Sequence, residues 1–205
     1  MEKQNATFLN ILLSLTSICF IAGVALSAAN KFTENAIAAS KAAVLQEAIQ
    51  NVTPEFDNDP VAEQYKVAVA ESDSLTIYPV KMGGKWVGSA VESYTKNGFS
   101  GLIRVMVGFD AENKLYNYTV LEHNETPGLG SKMETWFREN KIRQNIVGRD
   151  MTKGPLKNAK DGGDIDAITA ATISSRAFLE AINLAYTSFS GYTDAVSSAT
   201  ESTSK

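Results

Sequence analysis

One cysteine and one histidine stand among the 205 residues of this chain. The cysteine, Cys19, lies in an apolar N-terminal segment, so no intrachain disulfide and no cysteine-based metal site can form. With His123 alone, a histidine-rich metal site is excluded as well. Clusters of basic residues are also missing. Beyond residue 31 there are 22 acidic and 17 basic residues, and the Lys and Arg are scattered. Nucleic-acid binding needs a concentrated basic patch, so a nucleic-acid partner is not expected. There is no glycine-rich dinucleotide fingerprint, no cysteine cluster for iron–sulfur ligation, no haem motif and no internal repeat.

What the chain does have begins with Phe8–Ala29, 22 residues without a charge and rich in Leu, Ile, Phe and Val. A helix that crosses a bilayer needs about 20 mostly apolar residues. The run exceeds the ~7–15 apolar residues usual in a cleaved signal peptide, so a retained anchor is expected, although Ser27-Ala28-Ala29 would suit a cleavage site. Lys3 and the terminal amine precede the span and Lys31 follows it, a slight bias that places the N-terminus in the cytoplasm. The expected organisation is a cytoplasmic N-terminus at 1–7, a transmembrane helix at 8–29, an extracytoplasmic domain at 32–193, and a disordered tail at 194–205. The tail is Ser, Thr, Ala and charge, too little apolar surface to offset ordering entropy.

In the domain, Thr33 to Val52 has the spacing of an amphipathic helix, with Thr33 as N-cap and Pro54 as terminator. A β-rich block follows a short possible strand at Tyr65–Val69. Strands are expected at Thr76–Val80 and Lys85–Val91, joined by Gly83-Gly84, and at Leu102–Phe109 and Lys114–Leu121, joined by Asp110–Asn113. A short helix is expected at Met133–Asn140, with Trp136 and Phe137 as core anchors. A stronger one covers Ser174–Tyr186, where Phe178, Leu179, Ile182, Ala185 and Tyr186 form one stripe. The fold class is α+β: an antiparallel sheet with packed helices, preceded by the transmembrane helix.

Two segments stand out chemically. In Asp166-Ala-Ile-Thr169-Ala170-Ala171-Thr172, small residues surround a hydroxyl just before a helix. A hydroxyl needs activation or a positioned donor to act as a nucleophile. A phosphodiester on Thr172 would carry one negative charge, which a helix N-terminus stabilises, and Arg176 is near enough in sequence to reach it. By composition alone the stretch is as well explained by a helix start with Thr172 as N-cap. In Glu125-Thr126-Pro127-Gly128-Leu129-Gly130, Pro127 and Gly128 suit the two central positions of a type II turn, and Gly130 allows a second close backbone approach. Alone, this is a tight turn.

Taken together, the two segments resemble the signatures of the covalent-FMN domain in the G subunit of the Rnf ion-translocating electron-transport complex. The C subunit of the sodium-pumping quinone reductase is a related case. The resemblance extends to Val80–Gly88 and to Gly98-Phe99-Ser100-Gly101 with the strand after it. It implies FMN esterified to Thr172 by a flavin transferase that takes FMN from FAD with Mg²⁺ and recognises Asp166. Thr169 and Ala170 stand where the family more often has Ser and Gly. It also implies a flavin pocket with Thr169, Ala170, Ala171, Glu125, Thr126, Leu129 and Gly130, whose charge Glu125 and Lys132 would tune. His123 reads as a structural imidazole. The implied function is a membrane-anchored electron carrier between reduced ferredoxin and NAD⁺, with iron–sulfur and nucleotide sites on partner subunits and no catalytic or metal residue of its own. The implied place is the cytoplasmic membrane. The alternatives are the related quinone-reductase protein, whose chains are usually longer, a stand-alone anchored flavin reductase, for which no acid–base set is visible, and a flavin-free binding module.

Overall fold

The computed structural model describes residues 2–69, 73–141 and 143–202; the side chains of 2–7, 34–39 and 192–202 are outside that description. Helix α1 spans Glu2–Val52, and the chain divides into two compact units, Met1–Leu45 and Gln46–Lys205. The first unit contains Phe8–Thr33, 26 residues long and apolar enough to cross a membrane. The expected break between residues 29 and 33 is absent. No Gly or Pro interrupts Asn30-Lys31-Phe32, and Thr33 is not an N-cap: its Oγ1 donates back to the carbonyl of Ala29 at 3.1 Å, a mid-helix bond. α1 ends two residues before Pro54, as expected.

In the second unit, five strands form one antiparallel meander in the order β1-β2-β3-β4-β5: β1 Tyr65–Ala68, β2 Ser74–Met82, β3 Lys85–Gly98, β4 Gly101–Asp110 and β5 Leu115–His123. Gly83 and Gly84 both take positive φ, +58° and +76°, which matches the β2–β3 turn to strand twist. Asn113, at φ +61°, closes β4–β5. β3 runs well past its expected end at Val91, as far as Gly98, which pairs with Gly101 across a turn of Phe99 and Ser100. That extension carries the β3–β4 turn to one edge of the functional site.

Helix α3, Thr172–Ser202, lies across one face of the sheet. Phe178, Ile182, Ala185 and Phe189 recur along it and are buried with Leu75, Ile77, Val91, Val105, Val107 and Phe109. Phe137 stacks on Phe178 at 4.9 Å and Phe109 on Phe189 at 5.1 Å. The Ser93 hydroxyl donates to the Ala181 carbonyl at 2.7 Å, tying β3 to the helix inside the core. On the opposite face the last turn of α1 meets β4 at Gly108, where any Cβ would lie 1.6 Å from the Val52 carbonyl oxygen. The backbone of α3 is helical to Ser202, beyond the boundary expected at 193; residues 203–205 lie outside the described residues. Ser, Thr and Ala without proline keep a helix going once the core has nucleated it.

Helix α2 is one turn, Met133–Trp136, not the eight residues expected. The Phe137 carbonyl accepts from the Ile146 amide at 2.9 Å, so a returning loop holds the acceptor that a further turn would need. From Phe137 to Ala171 the chain is loop and short 3₁₀ turns, yet it buries Ile146, Met151, Leu156, Ile165 and Ile168.

Candidate functional site

A cleft of about 320 Å³ opens where three segments converge: the β3–β4 turn, the loop after β5 and the start of α3. It is within the ~300–1,000 Å³ range usual for small-molecule sites. Glu125, Thr126, Leu129 and Gly130 line it from the loop, and Ala170, Ala171 and Thr172 from the small-residue segment. Two stretches about forty residues apart in sequence thus share one cavity.

Pro127 and Gly128 occupy the centre of the turn as their chemistry predicts. The Leu129 amide donates to the Thr126 carbonyl at 3.1 Å, and Gly128 has φ +74°. The turn leaves Leu129 half-exposed on the cleft wall. Gly130 is buried, and a Cβ there would lie 2.6 Å from both Glu125 Oε2 and Ser174 Oγ. The close approach at Gly130 is therefore made by protein side chains.

Ala170 has φ +63°, one of two non-glycine residues in the left-handed region among the described residues. That turn aims the chain into α3: the Ala171 amide donates to the Ile168 carbonyl at 3.0 Å, and Ser175 Oγ accepts from the Ile168 amide at 2.9 Å. Thr172 is the first residue of α3 rather than its N-cap. It is partly exposed on the cleft wall, and the first α3 amides past it have no acceptor within the helix. A hydroxyl, free N–H groups and a positive dipole end coincide at one spot.

Several expected residues do not join this arrangement. Thr169 is exposed and does not line the cleft. Arg176 is held elsewhere, in a bidentate pair with Asp161 at 2.6 and 2.7 Å that also lowers the Asp161 carboxyl below its usual range. Lys132 is exposed and off the lining. Asp166 is partly exposed outside the cleft. Its amide donates to the Arg143 carbonyl, its own carbonyl accepts from Trp136 Nε1 at 2.9 Å, and its carboxylate faces Arg143 at 3.4 Å. His123 is structural, as expected: Nδ1 accepts from the Glu125 amide at 3.1 Å, so Nε2 carries the hydrogen toward Glu134, 3.0 Å away.

Three lining residues were not expected from the sequence: Phe99, Ile173 and Ser174. Phe99 is 67% exposed and Ile173 49%. Large apolar side chains left this open beside a cleft suit a flat apolar ligand face. The Gly98–Gly101 element carried a signal for Phe99; Ile173 and Ser174 carried none.

The FMN-binding domain family matches residues 98–187, which take in every lining residue of the cleft. Over 162 residues the chain is 34% identical to the G subunit of the ion-translocating oxidoreductase complex of Yersinia pestis, covering 75% of this chain and 76% of the relative. The corresponding protein of Cereibacter sphaeroides is 32% identical over 192 residues, 91% of this chain and 85% of the relative. That of Stutzerimonas stutzeri is 31% identical over 175 residues, 83% and 75%. The chain belongs to the G-subunit family of ion-translocating oxidoreductase complexes. In this family member the cleft at Thr172 combines an apolar lining with a hydroxyl beside free helix amides.

Proposed function

We propose that this protein is a membrane-anchored flavoprotein subunit of an Rnf-type ion-translocating oxidoreductase, carrying FMN through a phosphodiester on Thr172. The observation that carries the reading is the convergence of both motifs on one cleft with the Thr172 hydroxyl at its wall. The residues fit the group: Phe99, Leu129 and Ile173 offer apolar surface to a flat ring system, and the start of α3 offers amides and dipole to a phosphate. In the attachment step Thr172 Oγ loses its proton and bonds to the FMN phosphorus of FAD; the bond to AMP breaks, and AMP leaves. Asp166 lies outside the cleft, and its half-exposed carboxylate supports a role in contact with the transferase.

A bound flavin supplies acceptance of an electron pair and its release one electron at a time. The protein would hold the group against Phe99, Leu129 and Ile173 and its phosphate at the start of α3. Partner subunits of the complex, with iron–sulfur centres, provide the neighbouring redox sites. The anchor lies in the cytoplasmic membrane, with the N-terminus inside and the FMN domain outside.

Thr172→Val keeps the shape and removes the nucleophile. The parent, purified from its own membranes, should show a flavin-fluorescent band on a denaturing gel and a mass gain of one FMN less water; the variant should show neither. Incorporated into the complex, the variant should assemble, because no core side chain is lost, while ferredoxin–NAD⁺ electron transfer collapses. Retained fluorescence moves the attachment elsewhere, and retained transfer puts this flavin off the electron path.

A further inference from the structure

The most constrained side chain at the cleft is an acid. Glu125 is 4% exposed, beneath a site read as holding an anionic, phosphate-bearing group. Buried carboxylates are costly unless every oxygen is satisfied. Here both are. Oε1 accepts from the Ser100 amide in the β3–β4 turn at 2.9 Å, and Oε2 accepts from the Ser174 hydroxyl in the first turn of α3 at 2.5 Å. The Glu125 amide donates in turn to His123 Nδ1 at the end of β5. One residue thus joins the three segments that form the cleft. The two glycines beside it are shaped around it: a Cβ on Gly98 would lie 2.7 Å from Oε1, and one on Gly130 would lie 2.6 Å from Oε2.

We infer that Glu125 is a positioning residue that clamps the β3–β4 turn and the start of α3 onto the loop after β5, so that Thr172 is presented at the cleft wall before any flavin arrives. This rests on the reading of Thr172 as the attachment point. It differs from a role in tuning the flavin's charge, because the bonds to Ser100 and Ser174 act on the flavin-free protein. The hydroxyl of Ser174, two residues beyond Thr172, takes its direction from the clamp, and the first turn of α3 takes its place from Ser174. Hydrogen bonds to charged groups are the strong ones, so a carboxylate suits the task better than an amide.

The test uses the full chain in detergent, made without flavin transferase, as the parent, Glu125→Gln, Glu125→Ala and Ser174→Ala. Hydrogen exchange of the flavin-free proteins is read at Ser100 and at the bonded amides that flank Thr172, those of Ala171 and Ser175, which donate to the Ile168 and Ala171 carbonyls at 3.0 Å, with Val91 and Val105 as core references. Losing one bond to a charged acceptor should speed exchange at those sites by about tenfold or more. The order should be parent slowest, Gln intermediate and Ala fastest, with the core references unchanged. Ser174→Ala should loosen the Ala171 and Ser175 amides and leave Ser100 protected. Labelling by a flavin transferase with FAD and Mg²⁺ should then fall in the same order in its maximal rate, not in its dependence on FAD, since FAD is bound by the transferase. A merely structural residue would speed exchange at the core references too. Unchanged exchange at Ser100, Ala171 and Ser175 overturns the clamp, as does parental labelling of Glu125→Ala. If Glu125→Ala fails to fold, Glu125→Gln and Ser174→Ala decide the matter. If the parent itself takes no flavin, the attachment reading fails, while the exchange data still judge the clamp.

Discussion

Ala170 holds the least comfortable backbone in the site. At φ +63° an alanine Cβ crowds the following carbonyl, a cost of about 1–2 kcal/mol that glycine does not bear. Part of the gain from Ala170→Gly is offset by the greater freedom of glycine in the unfolded chain. The net stabilisation should be about 0.5–1 kcal/mol, read as a higher urea midpoint with an unchanged slope. The two glycines of the loop differ in kind. Gly128 needs its positive φ and has open space around it, so Gly128→Val should cost about 1–3 kcal/mol through backbone strain. Gly130 has no such φ, but a Cβ there meets Glu125 and Ser174 at 2.6 Å. Gly130→Ala should therefore spoil labelling of Thr172 more than Gly128→Val does, at equal or smaller loss of stability. Equal labelling of the two variants would refute this division. The special backbone at 127–130 was legible in the sequence because proline and glycine state their dihedrals outright. The strain at Ala170 was only hinted at, through the family resemblance, which implies glycine at this position. The Glu125 bonds were illegible, since they join residues 25 and 49 positions apart.

At the scale of elements, the hairpins and the end of α1 before Pro54 were readable, and the ends of α2 and α3 were not. Gly83-Gly84 and Asp110–Asn113 state their turns locally, and the β2–β3 and β4–β5 hairpins form at both. The end of α2 is decided by the Ile146 amide and the length of β3 by pairing with β4, both non-local. The outer face of the sheet holds a polar row that makes a pH prediction. Tyr78 is buried, its phenol donates to Glu92 at 3.4 Å, and Arg104 pairs with Glu92 and Glu122. Burial first, and the Glu92 charge second, push the Tyr78 phenol up to about 12. An unfolded tyrosine ionises near ~10. Between these values the unfolded chain releases the proton and the folded one keeps it. The stabilisation is thus complete below about pH 10 and lost as pH rises toward 12. Urea unfolding should show stability falling across that window, and Tyr78→Phe should flatten the fall. Burial also raises Tyr118, whose hydroxyl donates to the Met133 carbonyl, so some slope should remain in the variant.

For the whole molecule the question is which side of the membrane the cleft faces. Phe8–Thr33 is long enough to cross, and none of its hydropathic window is buried in the protein. Neither the fold nor the cleft depends on the direction of insertion, so orientation rests on flanking charge. The N-terminal side carries Lys3 and the terminal amine; the other side carries Lys31 and, within the ~15–20 residues that count, Lys41. Since acidic residues contribute little to this rule, the two sides nearly balance, and the orientation with the N-terminus inside leans on the two charges at the very start of the chain. A bias so small should be reversible. Protease added to intact spheroplasts should digest the domain from residue 46 onward and leave an internal control whole. Two further lysines placed after Lys31, at Phe32 and Thr33, should turn part of the population around, and that part should become protected. A parent domain that resists protease beside a cleaved external control would place the flavin cleft in the cytoplasm. Parental digestion with no response to the added lysines would instead show that insertion is set by partner subunits of the complex rather than by the charges of this chain.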